Sequence, residues 1–424
     1  MRRTLTSALP QAPVGDEVRL QGWVHRRREL AKITFLVLRD RTGLAQVVLP
    51  AGTELPPEET PVEVIGTLTT NGQAPQGVEV VDAKVTALSE PADTPAVELW
   101  RPTLDTGLPT LLDHAATTWR HPVQRAKWEL AAASLRGFRE TLDAGGFTEV
   151  HSPKLVEQAT ESGANVFEVD YFGRPAYLAQ SPQFYKQQLV GVFERVYEVG
   201  PVFRAEPHDT VRHLAEYVSL DAELGFVEDH REVMAWLRDV VAGMITGIRR
   251  YAASAVERLA LELPEVPKQI PTLHFRDALE IVGAPADEPD LNPAHERALG
   301  EWGRSEHGSD FVLVEGYPTA HRAFYSHPDP ADPRWSRSFD LIFRGVELVS
   351  GAQRLHRYED YVRALEERGY PYAAYASYVE AFRRGIPPHG GFAIGLERWV
   401  GRLVEAQNIR EVALFPRDLH RLAP

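Results

Sequence analysis

The chain has 424 residues, a formal net charge of −14 and no cysteine. A chain of this length divides into two or more domains. Its acidic balance excludes a general nucleic-acid-coating protein, and the missing cysteine excludes disulfides and thiolate metal sites. No apolar run reaches membrane-spanning length and the N-terminus lacks an apolar signal core, so a cytoplasmic protein with no membrane partner is expected.

The charge is unevenly spread. Arg2, Arg3, Arg19, Arg26, Arg27, Arg28, Lys32, Arg39 and Arg41 outnumber the acids of the first 41 residues, a local basic face that can meet phosphate. Val18 to Val24, Thr34 to Leu38, Leu44 to Leu49, Val62 to Leu68 and Val78 to Leu88 are strand-like, separated by Gly43, Pro56-Pro57 and Asn71-Gly72. Five short strands suit an OB-fold barrel, with an SH3-like barrel as the alternative. The proline-rich stretch from Pro91 to Pro109 reads as a linker. The expected division is 1–90 for the barrel, 91–115 for the linker and 116–424 for the larger body.

In that body, Pro122 to Ala144 has helical spacing and Gly145-Gly146 ends it. The small, polar run 160–165 suggests a mobile loop over a site. Ser181-Pro182 opens a helix, with Gln183 and Lys186 on one face. Phe203 to Phe226, FRAEPHDTVRHLAEYVSLDAELGF, reads as strand, loop and antiparallel return. Arg204 and Glu206 would then share a surface with Asp221 and Glu223. An arginine fork grips phosphate and a carboxylate accepts an exocyclic amine, so the segment reads as a nucleotide site; a surface hairpin with salt bridges is the plainer alternative. His230 to Leu263 is one amphipathic helix or two, the stretch 264–310 shows no legible chemistry, and Phe311 to Glu315 is a buried strand. Asp340 and Glu347 have odd spacing, and the Arg344-Gly345 turn lets both reach one site. Two such carboxylates with nucleotide phosphates make a magnesium arrangement. Glycines from Gly390 onward allow close approach to a base, ahead of Arg398.

FRAE, RHLAEY and DAE together resemble motif 2 of the class II aminoacyl-tRNA synthetases, in the form of the aspartyl, asparaginyl and lysyl subgroup. The helix from Pro122 with FTEVHSPKL resembles motif 1, ending at Pro153, and GGFAIGLERWV resembles motif 3. GWVHRRREL with FLVLRDRTGLAQVV is similar to the subgroup's anticodon-binding domain. The resemblance spans the whole chain. It implies an α+β fold, an N-terminal OB barrel plus an antiparallel sheet flanked by helices, and a homodimer built on motif 1.

SPQFYKQ resembles the aspartyl members, which carry a lysine at the place of Lys186 where the asparaginyl members lack one. The resemblance therefore implies a ligase that joins L-aspartate to ATP as aspartyl-adenylate and passes it to the 3′ end of tRNA-Asp. It implies Arg204, Glu347 and Arg398 as catalytic residues. Glu161, Gln183, Lys186, Asp221, Ser350 and Arg354, with Arg204, would hold aspartate. ATP would meet Arg204, Glu206, Arg212, His213, Leu214, Glu347, Gly395, Leu396, Glu397 and Arg398, and Mg2+ would meet Glu347, Ser350 and Asp340. The anticodon would meet His25, Arg26, Arg28, Phe35, Gln46 and Pro75. His25 and Pro75 stand where tRNA-selective relatives carry bulky residues, which extends the expected range to tRNA-Asn. An asparaginyl enzyme and a non-catalytic tRNA-binding paralogue are the alternatives.

Overall fold

The computed structural model describes residues 1–74, 76–158, 165–207 and 209–423. The chain divides into two compact units, Met1–His121 and Pro122–Pro424.

The first unit is a closed barrel in which β1 (Glu17–Glu29), β2 (Ile33–Arg39), β3 (Leu44–Pro50), β4 (Pro61–Thr70) and β5 (Val78–Ala87) follow the order β1-β2-β3-β5-β4. Alternation decides which side chains enter: Leu20, Leu36, Leu38, Val47, Val62, Val64 and Val80 are fully buried, while Phe35 and Gln46 face outward. A register shift between Val24 and Arg26 bends β1 against β2 at His25. Two short helices, α1 (Leu108–Asp113) and α2 (Ala115–Thr118), complete the unit and fall within or beside the stretch read as linker.

The second unit starts with α3 (Pro122–Ala144), β6 (Thr148–Glu149), β7 (Leu155–Val156), β8 (Glu168–Tyr171), β9 (Arg174–Leu178) and α4 (Gln183–Phe193). The hairpin β10 (Arg195–Phe203) and β11 (Glu216–Gly225) follows, then α5 (His230–Tyr251), α6 (Ala253–Arg258), β12 (Thr272–His274), α7 (Phe275–Val282) and α8 (Pro293–His307). After β13 (Phe311–Glu315) come β14 (Ser338–Phe343), β15 (Val346–Gln353), α9 (Tyr358–Glu367), α10 (Tyr372–Val379), β16 (His389–Gly395) and α11 (Leu396–Leu403). An eight-stranded sheet runs β12-β13-β14-β15-β16-β11-β10-β6, antiparallel except at its two ends, where β6 pairs with β10 and β12 with β13 in parallel. β7, β9 and β8 form a separate small sheet.

The apolar faces of α3, α5 and α11 cover this sheet through Leu130, Phe138, Leu237, Val241, Met244 and Trp399, all essentially inaccessible to solvent. Burial on one face leaves the polar residues of β11, β15 and β16 directed to the other, where the site lies. Among the described residues no helix is long and apolar enough to cross a membrane.

Candidate functional site

Two adjoining cavities open on the polar face of the sheet, of about 290 Å³ and about 270 Å³. Arg204, Tyr217, Ser219, Ser350 and Ala393 line both, so the two form one continuous site.

The first cavity gathers most of the residues expected at a nucleotide. Strand β10 ends at Phe203, so Arg204 and Glu206 lie on the loop beyond it. This corrects the expectation that they sit on a strand opposite Asp221 and Glu223: those acids pair with Glu198 and Val196 instead. Glu206 stands 3.7 Å from Arg204 and 3.7 Å from His213 Nε2, and the Thr210 hydroxyl hydrogen-bonds the other ring nitrogen, Nδ1, at 2.6 Å. Leu214, Gly395, Glu397 and Arg398 close the cavity, whereas Leu396 turns away into the apolar core. Glu397 accepts from the N–H of Val218 at 3.1 Å; burial pushes its carboxyl up to about 7.

Glu347 opens on this cavity with its side chain 42% exposed, and Arg398 Nη1 donates to its carbonyl oxygen at 2.8 Å. Partial desolvation, then the charge of Asp340, raises its carboxyl above the usual range. The reason lies in the hairpin. Asp340 pairs with Ser350 and Ile342 with Glu347 across β14 and β15, so both acids face the same side once Arg344 (φ 48°) and Gly345 (φ 74°) turn the chain.

Asp340 has protein partners as well. Ser350 Oγ donates to it at 2.7 Å and Arg322 forms an ion pair with its other oxygen at 2.5 Å. Arg322, which no pattern in its loop had singled out, also lies 3.7 Å over the ring of Tyr317 and lines the second cavity. An aromatic-flanked arginine in YPTAHRAFY, just before a strand carrying a buried acid, was the one available signal. Among the described residues no three His, Cys, Asp or Glu side chains stand together as a metal cage. Glu347, with Ser350 and Asp340, thus fits a hard cation shared with phosphate oxygens, the usual manner of magnesium, and not a cation held by protein alone.

The second cavity is walled by buried charge. Lys186 on α4 is 3.0 Å from Asp221 and 3.3 Å from Glu223. Arg354 donates through Nε to the other oxygen of Glu223 at 3.0 Å and through Nη2 to Gln183 and to the carbonyl of Gly391. Glu223 is wholly buried. Burial opposes its charge, but Arg354 and Lys186 outweigh burial and hold its carboxyl below the usual range. Only glycine fits at position 391, because a Cβ there would stand 2.1 Å from Glu223 Oε2. Gln183 Nε2 is buried with no hydrogen-bond partner among the described residues. Behind this wall Gln187 donates to His389 Nε2 at 3.1 Å and accepts from Tyr378, fixing the face of α4 that carries Lys186. Glu161 lies outside the described residues.

On the barrel, Phe35 pairs in register with Arg28, and Gln46 donates to Glu79 at 2.7 Å on the same outward surface. Arg26 is exposed, 4.0 Å over the ring of Trp100. His25 departs from expectation: it is buried at the bulge, its Nδ1 2.9 Å from an arginine, Arg39, that Glu59 binds through both oxygens. Burial, then Arg39, lower its pKa to about 4. Pro75 lies outside the described residues.

A nucleotide-sized cavity and a charge-walled one, side by side on an antiparallel sheet, form the working face of an adenylate-forming class II fold, here joined to an OB barrel. The family described as OB-fold nucleic acid binding domain matches residues 18–88, and tRNA synthetases class II (D, K and N) matches residues 108–419. The chain belongs to the class II tRNA synthetases, D, K and N group, a family of ligases that use ATP. It is 43% identical to the aspartate–tRNA(Asp/Asn) ligase of Deinococcus radiodurans, across 100% of this chain and 99% of that one. It is 44% identical to the ligase of the same name from Thermus thermophilus, across 98% of each. Among solved structures, asparaginyl-tRNA synthetase from Pyrococcus horikoshii complexed with asparaginyl-adenylate superposes with a TM-score of 0.92 at 30% identity over 100% of both chains.

Proposed function

We propose that this enzyme is an aspartate–tRNA ligase acting on both tRNA-Asp and tRNA-Asn. The observation that carries the reading is the pair of buried cations, Lys186 and Arg354, on the two oxygens of Glu223 beside the cavity of Arg204. The wall they form with Gln183 Nε2 presents hydrogen-bond donors. A side-chain carboxylate satisfies every one of them. The amide of asparagine would bring its own N–H groups against the same donors. Asp221, on the same cavity, suits the substrate ammonium.

The first step joins the α-carboxylate of aspartate to the α-phosphorus of ATP. A new O–P bond forms, the bond to the bridging oxygen breaks, and pyrophosphate leaves with the electron pair. No nucleophile from the protein is needed, so the work is positioning and charge stabilisation. Arg204 lines both cavities and is placed to hold the α-carboxylate against the α-phosphate. Arg212, His213 and Arg398 hold the outer phosphates, Glu206 accepts from the adenine amine, and Leu214, Gly395 and Glu397 shape its pocket. Glu347, Ser350 and Asp340 would hold magnesium, which would supply further neutralisation of charge on the triphosphate. The 3′ hydroxyl of the tRNA then attacks the adenylate carbonyl and AMP departs.

Phe35, Gln46, Arg26 and Arg28 give the barrel a stacking and phosphate-binding face for the anticodon. The wide tRNA range follows the relatives' names; the buried His25 lends it no direct contact. Motif 1, on α3 and the strand after it, makes a homodimer, and its substrates place the enzyme in the cytoplasm. Charging of tRNA-Asp and tRNA-Asn transcripts with labelled aspartate tests the reading: both are expected to be aspartylated, failure on tRNA-Asp would refute it, and a large preference for tRNA-Asp would rule out the wide tRNA range.

A further inference from the structure

Helix α8 lies in the stretch where no chemistry is legible in the sequence, yet it is docked with unusual closeness against the turn that precedes Glu347. Asn292 caps its first turn by accepting from the N–H groups of Ala294 and His295, and Pro293 opens it. Gly300 meets the turn between β14 and β15 so tightly that a Cβ there would lie 2.6 Å from Gly345 Cα. A Cβ on Gly345 would in turn lie 3.1 Å from Arg297 Cα.

This docking brings Glu296 beneath the nucleotide cavity without lining it. One of its oxygens, Oε2, accepts from the backbone N–H of Glu347 at 3.0 Å and from Arg212 Nη1 at 3.3 Å, and the side chain is only 9% exposed. The contact to Glu347 falls beside the register shift at Leu341 and Ile342. Arg212 rides on a loop and would otherwise have several rotamers open to it. A single buried carboxylate oxygen thus ties the strand of one nucleotide-facing group to the loop of another.

We propose that Glu296 is a positioning residue for ATP, setting Arg212 and Glu347 at a fixed separation before the triphosphate arrives. The inference rests on the assignment of the first cavity to ATP. Arginine has five N–H donors, and the one bound by Glu296 leaves the fork able to meet phosphate oxygens. Ordering the arginine in advance removes an entropic cost from nucleotide binding.

The test is calorimetric titration of the full-length protein with ATP, with no amino acid present, for wild type, Glu296→Ala and Glu296→Gln. Melting temperatures and exchange kinetics are measured on the same samples. Glu296→Ala is expected to weaken ATP binding by about tenfold to a hundredfold, the scale of one charge-assisted hydrogen bond. The KM for ATP should rise in parallel, with the KM for aspartate within about twofold, as loss of binding at one subsite requires. Glu296→Gln keeps an acceptor for the N–H of Glu347 but loses the ion pair, so it should recover part of the affinity at an unchanged melting temperature. Wild-type affinity in both variants would overturn the proposal, and so would tighter binding, which would make Glu296 a competitor for Arg212. Should Glu296→Ala fail to fold, the glutamine variant decides alone: weakened ATP with native melting sustains the proposal, and unchanged ATP ends it. A wild-type protein that binds no ATP would instead refute the cavity's assignment, and this proposal with it.

Discussion

Lys186 and Arg354, far apart in the chain, are bound to opposite oxygens of one carboxylate, Glu223, at 3.3 and 3.0 Å. Neither cation can swing away from the second cavity without stripping a fully buried acid of one of its two cationic partners. Paired charge thus holds this wall of the second cavity in place in the ligand-free protein.

Replacing Lys186 by leucine should abolish most aspartate activation while leaving ATP in place. Its loss removes one charge-assisted contact and leaves Asp221 and Glu223 short of a partner. Aspartate-dependent exchange should fall by about a hundredfold or more, with the ATP dissociation constant within about threefold of wild type, since a contact to one subsite is lost. Parallel titrations with the two ligands check this, and equal loss of both would mean that the pocket is misplaced.

Glu223→Gln should destabilise the fold by about 3–5 kcal/mol, the cost of breaking a buried ion pair on one side. The sign with pH follows from its lowered folded pKa. The stabilisation is complete above the unfolded carboxylate range and fades only as pH falls through the lower folded value. Urea titration should accordingly give the same gap between variant and wild type at neutral and mildly acidic pH, narrowing only in stronger acid.

Phe35→Ala tests the barrel apart from the chemistry. The loss of one stacked base should weaken tRNA binding by about 1–3 kcal/mol. Pyrophosphate exchange, which involves no tRNA, should be unchanged. Filter binding and exchange on one preparation separate the two, and a fall in exchange would contradict the division of labour.

His25 predicts acid sensitivity of the first unit. Its pKa is lowered from 6.5 to about 4 on folding, so below 6.5 the unfolded chain takes up a proton that the folded one refuses, and stability falls as pH drops toward 4. Lowering pH from about 7.5 to about 5 should cost the wild type about 1–2 kcal/mol more than His25→Asn, which keeps an acceptor for Arg39 but does not titrate. Unfolding monitored at several pH values shows whether the two curves diverge.

Much of this molecule is legible in its sequence because local pattern and chemistry coincide there. Helix α3 and strand β13 stand at the residues that periodicity and turn glycines indicated, and the hairpin of β10 and β11 frames a charged loop that lines the first cavity. The rest depends on partners distant in the chain. Arg322 acquires its place from Asp340 and Tyr317, and Glu296 from a glycine-to-glycine contact that no periodicity encodes. The Arg322 partner of Asp340 was equally invisible, since it comes from a loop 18 residues away. His25 read as a surface residue because a bulge, one residue of slippage, turns the ring toward Arg39.

Amino-acid-dependent ATP–pyrophosphate exchange, run on the wild-type enzyme with aspartate and asparagine side by side, probes the paired cations most directly. Aspartate should support rapid exchange and asparagine essentially none. Exchange with asparagine but not with aspartate would contradict the account at its centre.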